Sequence, residues 1–133
     1  MSYGVAVALQ TAILERLEAD AALSVPVFDA PPVGVLPETF VQIGTEEVRG
    51  RSDGSSRGAE HRVTVSVVTT LAGFAEAKAQ AVAVSDALDN APLSLARGQL
   101  VGLWFERARA RRDGKSGRDR RIDLRFRARV EDN

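Results

Sequence analysis

The sequence predicts an α+β fold: a mostly antiparallel sheet of four to five strands with two helices packed on one face. Three observations predict it. Two stretches space their apolar residues by three or four, the period of a helix with one dry side. Other stretches alternate apolar and polar residues, the period of a strand with one dry face. Their order is helix, strand hairpin, helix, strand hairpin. Two helices bury little alone and a half-polar sheet needs one face covered, so both helices belong on the sheet's apolar face. The 133 residues fit one domain, 1–133, with a modest core.

The first helix is expected from about Tyr3 to Asp20, with Ser2 as its cap. Val5, Leu9, Ile13 and Leu17 form its apolar stripe, with Ala6 and Ala12 beside them. Pro26 forces extended backbone before it, and Val25 to Asp29 reads as a short edge strand. Ala30 to Glu38 holds Pro31, Pro32, Gly34 and Pro37 and is a loop. The next strand runs from Phe40 to about Arg49, with Val41, Ile43 and Thr45 on one side and Gln42 and Glu46 on the other. Gly50 to Gly58 is polar, glycine-rich and without an apolar anchor, so it is expected to be mobile in an isolated subunit.

Glu60 to Thr70 is the clearest strand of the first half. Val63, Val65 and Val67 face inward; Arg62, Thr64 and Ser66 face outward. A second helix follows from about Ala72 to Asp89, its stripe made by Phe74, Ala77, Ala81, Val84 and Leu88. Asn90-Ala91-Pro92 stops it. Two C-terminal strands close the chain, joined by the turn Asp113-Gly114-Lys115-Ser116-Gly117.

The last strand alternates without a miss: Ile122, Leu124, Phe126, Ala128 and Val130 against Arg121, Asp123, Arg125, Arg127 and Arg129. Its partner is less regular. Val101, Leu103 and Phe105 share parity with Arg107, Arg109 and Arg111, so either the strand leaves the core midway or a bulge re-aims it. The polar sheet face is then Arg62, Thr64, Ser66, Arg107, Arg109, Arg111, Arg125, Arg127 and Arg129. As a plain solvated face it would pair with Glu46, Glu106 and Asp123 for small gains. Arginine almost completely replaces lysine there, however, and its planar, multi-donor head suits interfaces with carboxylates or phosphates.

Net charge is zero, but unevenly spread. Residues 1–96 carry 12 Asp/Glu and 6 Lys/Arg, a net of −6, and residues 97–133 carry 6 and 12, a net of +6. Three explanations stay open: the halves neutralise each other within one fold, an acidic face of one copy meets a basic face of the next, or the basic end meets nucleic acid. Against the last, single-strand readers present aromatics for stacking. Trp104, Phe105 and Phe126 here fall largely on positions expected to be buried.

No catalytic set is found. The single histidine, His61, is read as a hydrogen-bonding surface group at a strand start. With no cysteine, disulfides and thiolate metal sites are excluded, and one histidine makes a transition-metal site implausible. Glu46 and Glu47 are adjacent and point to opposite faces of a strand, so they are not paired for acid–base work. No phosphate-binding glycine motif is present, and no cofactor is expected. The N-terminus lacks a basic region ahead of an apolar run, and no apolar run approaches the roughly 20 residues that span a bilayer, so a soluble intracellular chain is expected.

Several stretches, taken in order and spacing, resemble the small tail-completion or tail terminator proteins of siphophage-like particles, including gene transfer agents. They are Leu14 to Leu23; Val27-Phe28-Asp29 with Pro37-Glu38-Thr39-Phe40-Val41-Gln42-Ile43-Gly44; Glu60 to Val67; Gly73-Phe74-Ala75-Glu76-Ala77 with Val84 to Leu88; and Ile122 to Glu131. The resemblance covers nearly the full length. It implies a structural protein with no catalytic residues, an antiparallel sheet backed by helices, and assembly as a homo-oligomer, a hexameric ring. That ring would cap the finished tail tube, meet the tube protein on one side and the head-side connector or stopper on the other, and pass DNA non-specifically through its centre. Assembly would occur in the bacterial cytoplasm, and the ring would end at the head–tail joint.

A ring needs two different patches per subunit, which the charge asymmetry supplies. Arg107, Arg109, Arg111, Arg125, Arg127 and Arg129 are the candidate subunit-interface or channel face. Arg49, Arg51, Asp53 and Arg57 are candidate loop contacts, ordering on a neighbour. Low salt is expected to favour the ring. The alternative function is a nucleic-acid-binding accessory domain using the C-terminal arginine hairpin.

Overall fold

In the computed structural model the strands are β1 (Val27–Phe28), β2 (Thr39–Gly50), β3 (Gly58–Thr69), β4 (Gln99–Asp113) and β5 (Asp119–Glu131), and the helices are α1 (Ala6–Glu18) and α2 (Ala75–Leu88). The structure describes residues 2–30, 34–51, 58–113 and 119–132, without the side chains of Ser2 and Asp113. Pro31, Pro32, most of the Gly50–Gly58 loop with Asp53 and Arg57, and the centre of the last turn lie outside them. One sheet forms in the order β1-β2-β3-β5-β4. All neighbours are antiparallel except β1, which runs parallel to β2 through Val27 and Phe28. This is the expected α+β fold with five strands.

The core lies between the helices and one sheet face. Val5, Leu9, Ile13 and Leu17 are buried as a stripe, and Ala77, Ala81, Val84 and Leu88 bury the facing side of α2. Alanine lets α2 lie close to the sheet. Every dry-face residue of β5 is buried, and Phe126 is the largest side chain fully enclosed. Burying each large apolar side chain contributes about 1.5–3 kcal/mol. Among the described residues no helix is long and apolar enough to cross a membrane.

The helix starts differ from expectation. A 3-10 turn over Ser2–Val5 precedes α1, whose cap position is Val5 with no side-chain capping bond. Phe74 sits at the cap of α2, half-buried, under the Arg120 guanidinium at 5.8 Å. One polar side chain joins the buried face of α2: Gln80 accepts from the Ser24 N–H at 3.2 Å and donates to its hydroxyl at 2.9 Å. The two helices are tied where Arg16 Nε donates to the Ala87 carbonyl at 3.0 Å.

Two bulges decide which side chains face where. In β2 the register shifts between Ile43 and Glu46, so Ile43 lies opposite Val65 but Glu46 lies opposite Val63. An extra residue exchanges the two faces beyond it. Glu46 therefore falls on the helix side, where Tyr3 donates to it at 3.4 Å, and Glu47 falls on the arginine side. Thr45 is exposed, not inward with Val41 and Ile43 as alternation predicts. In β4 the same device acts at Glu106: Phe105 faces Phe126, and Arg107 faces Arg125. The bulge, not an early exit from the core, turns the arginines of β4 to the polar face.

Candidate functional site

The polar sheet face is a concave arginine surface. The open groove at its centre has a volume of about 590 Å³ and is lined by residues of β2, β3, β4 and β5, among them Glu47, Arg62, Arg107, Arg109, Arg111 and Arg125. Of the predicted face, Arg107, Arg109, Arg111 and Arg125 thus come together. Arg127 and Arg129 lie further along β5, opposite Arg62 and Glu60.

Carboxylates stitch this face together across strands. Glu106, lifted by the bulge, accepts from Arg125 Nε at 3.1 Å and Arg62 Nε at 3.4 Å. Asp123 accepts from Ser66 Oγ at 2.6 Å, Arg121 Nε at 2.8 Å and Arg111 Nε at 3.2 Å. Burial pushes the Asp123 carboxyl up, but the hydrogen bonds from Ser66, Arg121 and Arg111 outweigh it and hold the group below the usual carboxylate range. Glu60 is buried and gathers Arg62 at 3.2 Å, Arg51 at 3.4 Å and Arg127 at 3.9 Å. Two of the three expected acids, Glu106 and Asp123, do pair here; Glu60 takes the place of Glu46. The sequence reading missed Glu60, although its parity with Arg62 was the signal that puts it on this face.

Among the described residues Arg107 and Arg109 have no hydrogen-bonding or ionic partner, and both are exposed. They are the cations this face leaves for something else. Of the loop candidates, Arg49 pairs with Glu47 at 2.9 Å, and the Arg51 carbonyl accepts from Arg129 at 3.2 Å. Asp53 and Arg57 lie outside the described residues.

Two expectations about individual residues are overturned. His61 is 0 % exposed, not a surface group. It stands on the helix side between Val48 and Ala128, because β3 begins at Gly58 and His61 shares parity with Val63. Trp104 is not on the dry face either. It lies opposite Arg127 on the arginine side, half-buried, with that guanidinium 4.9 Å above its ring. A first bulge in β4, between Leu100 and Gly102, sets that parity. The indole folds across Gly102, where a Cβ would collide with it. Phe105, expected to be buried, is 40 % exposed.

Among the described residues no group of three or more His, Cys, Asp or Glu is placed to hold a metal ion. The arrangement suits binding carboxylates or phosphates through guanidinium groups.

A search of curated proteins found no match. Among solved structures, a chain described as "Virion of native gene transfer agent (GTA) particle" is similar at 55 % identity and a TM-score of 0.92, over 98 % of this chain and 99 % of that one. The family model for "Tail completion protein gp17" matches residues 11–131. That match spans the second half of α1, all of α2, all five strands and the arginine face, and the chain belongs to the tail completion protein gp17 family.

Proposed function

We propose that this protein forms a ring, a hexamer, that terminates the tail tube of a phage-like particle and joins it to the head-side connector or stopper. The ring assembles in the bacterial cytoplasm and ends at the head–tail joint, where DNA passes through its centre without sequence readout. The observation that carries this reading is the end-to-end likeness at 55 % identity to a chain of a gene transfer agent virion. A structural virion role follows from that family and needs no catalytic set. The two edges of the sheet supply the unlike patches that a ring requires, β1 with the outer half of β2 on one side and β4 on the other.

The second reading, a nucleic-acid-binding accessory domain, draws support from unpartnered Arg107 and Arg109 and from Trp104 on the same face. Most other arginines of that face are already held by Glu60, Glu106 and Asp123, which lowers the charge left for phosphates. Electron cryomicroscopy of the native particle tests the first reading. A ring of this chain between tube and connector is expected; its density elsewhere in the particle would refute the placement. Filter binding at physiological salt tests the second. Tight, steeply salt-dependent binding to bare DNA would favour it.

A further inference from the structure

Two apolar features stand uncovered at the surface. The first is a strip between α2 and the outer half of β4, a hollow of about 380 Å³ floored by Ile122 and Leu124 and rimmed by Val82, Phe105, Ala108 and Ala110. Val82 is 59 % exposed, and Ala108 and Ala110 are exposed. The helices lie over the middle strands, and β4 extends past them. An edge strand left to water usually carries charge on both faces; this one carries alanine on its helix side. The second feature is the turn at Val35 and Leu36, 97 % and 51 % exposed, which leads into β2 at the opposite edge of the sheet.

The ladder sets the strip level with β1 and with the start of β2, the strand into which the turn leads. Ala110 stands abreast of Ile122, Val67, Val41 and Val27, so the strip is level with β1. Arg112 stands abreast of Arg120, Thr69 and Thr39, so it is level with Glu38. Rotation about an axis along the strands preserves level, so unlike patches at one level on opposite edges meet in a closed ring. The edge of β4 above Glu106 is already occupied. There Asn90 N–H donates to the Leu103 carbonyl at 2.7 Å, and Phe105 N–H donates to Asp89 Oδ1 at 2.9 Å. Beyond Glu106, among the described residues, no further strand pairs with β4.

Charge follows the same division. In sequence the turn stands between exposed Asp29 and exposed Glu38, and the strip is bordered by exposed Lys78 and Arg112. We propose that the Val35–Leu36 turn of one copy seats in the strip between α2 and β4 of the next, with its flanking carboxylates against that copy's Lys78 and Arg112. The proposal rests on the ring reading and names the contact that closes it. Opposite charge fixes the register, and the apolar pair fills the hollow.

Cysteine cross-linking tests it, because the chain has no cysteine of its own. In a Val35→Cys/Ala108→Cys variant the two thiols sit at opposite edges of a five-stranded sheet. The strand that the turn enters, β2, lies three strand spacings from β4, about 14 Å, beyond the roughly 7 Å Cα separation a disulfide tolerates. Any bond is therefore between copies. On oxidation the double variant is expected to give a ladder of covalent oligomers that stops at the size of the ring, and each single variant is expected to stay monomeric under denaturing conditions. Both sites are exposed, so folding is not at risk. If the reduced double variant forms rings by sedimentation and microscopy but gives no ladder, this contact is refuted and the ring reading stands. If neither rings nor ladder form at any salt concentration, both fail. A cross-linked dimer from either single variant would mean that the patch meets itself, which also overturns the proposal.

Discussion

Removing the Asp123 carboxylate is the sharpest test of how the arginine face is held. Its oxygens serve three donors: the Ser66 hydroxyl at 2.6 Å, Arg121 at 2.8 Å and Arg111 at 3.2 Å. Ser66 is fully buried, so depriving its hydroxyl of that acceptor costs about 1–3 kcal/mol. The side chains of Arg121 and Arg111 are 26 % and 39 % exposed, so each of their pairings is discounted to about 0.5 kcal/mol. Asp123→Ala is therefore expected to cost about 3 kcal/mol, a fall in Tm of roughly 10–15 °C for a domain of this size. Asp123→Asn keeps an acceptor and loses the charge, at about 1–2 kcal/mol.

The acid dependence separates charge from shape. The folded carboxyl titrates below its ordinary value of 3.8. Its contribution is complete above that value and is lost as pH falls through the folded pKa. Thermal unfolding followed by circular dichroism, at fixed protein concentration and ionic strength so that assembly does not shift Tm, measures both. The deficit of Asp123→Asn should be full at pH 7 and shrink below about pH 4. An Asn variant as stable as wild type at neutral pH, or a deficit unchanged into the acid range, would refute the assignment of stability to this carboxylate.

Two further outcomes are expected. Phe126→Ala removes the largest fully buried side chain and should cost about 3–5 kcal/mol in chemical denaturation; a loss under 1 kcal/mol would mean that the core around β5 is not packed as described. Arg107→Glu/Arg109→Glu alters two cations without partners among the described residues, so Tm should hold within the scatter of surface substitutions, about 0.5 kcal/mol. The salt concentration at which assemblies dissociate by sedimentation should fall in the same variant; an unchanged salt profile would remove these two positions from any interface.

Local periodicity was enough to place the elements and most of the core. The unbroken alternation of Ile122 to Val130 required a strand with one dry face, and all five of those residues are buried. The four-residue spacing of Val5, Leu9, Ile13 and Leu17 likewise required a buried stripe. Periodicity is a local property, because successive side chains are placed by their own backbone. His61 was legible by the same rule, as it shares the parity of Val63; reading the strand from Glu60, two residues late, made it look like a strand-end group.

What depends on a neighbouring strand was not legible until the sheet was formed. A bulge adds one residue and exchanges the faces beyond it, and nothing in a single strand says where its partner's ladder breaks. The bulges after Ile43 and at Glu106 moved Glu46 to the helix side and turned Arg107, Arg109 and Arg111 to the arginine face. That β4 reaches past the helices, leaving Ala108 and Ala110 bare, depends on which strands the helices cover. Alternation showed that the arginines share a face. Which of them Glu60, Glu106 and Asp123 already hold is a matter of distances between strands far apart in the chain, and those exist only once the sheet is formed.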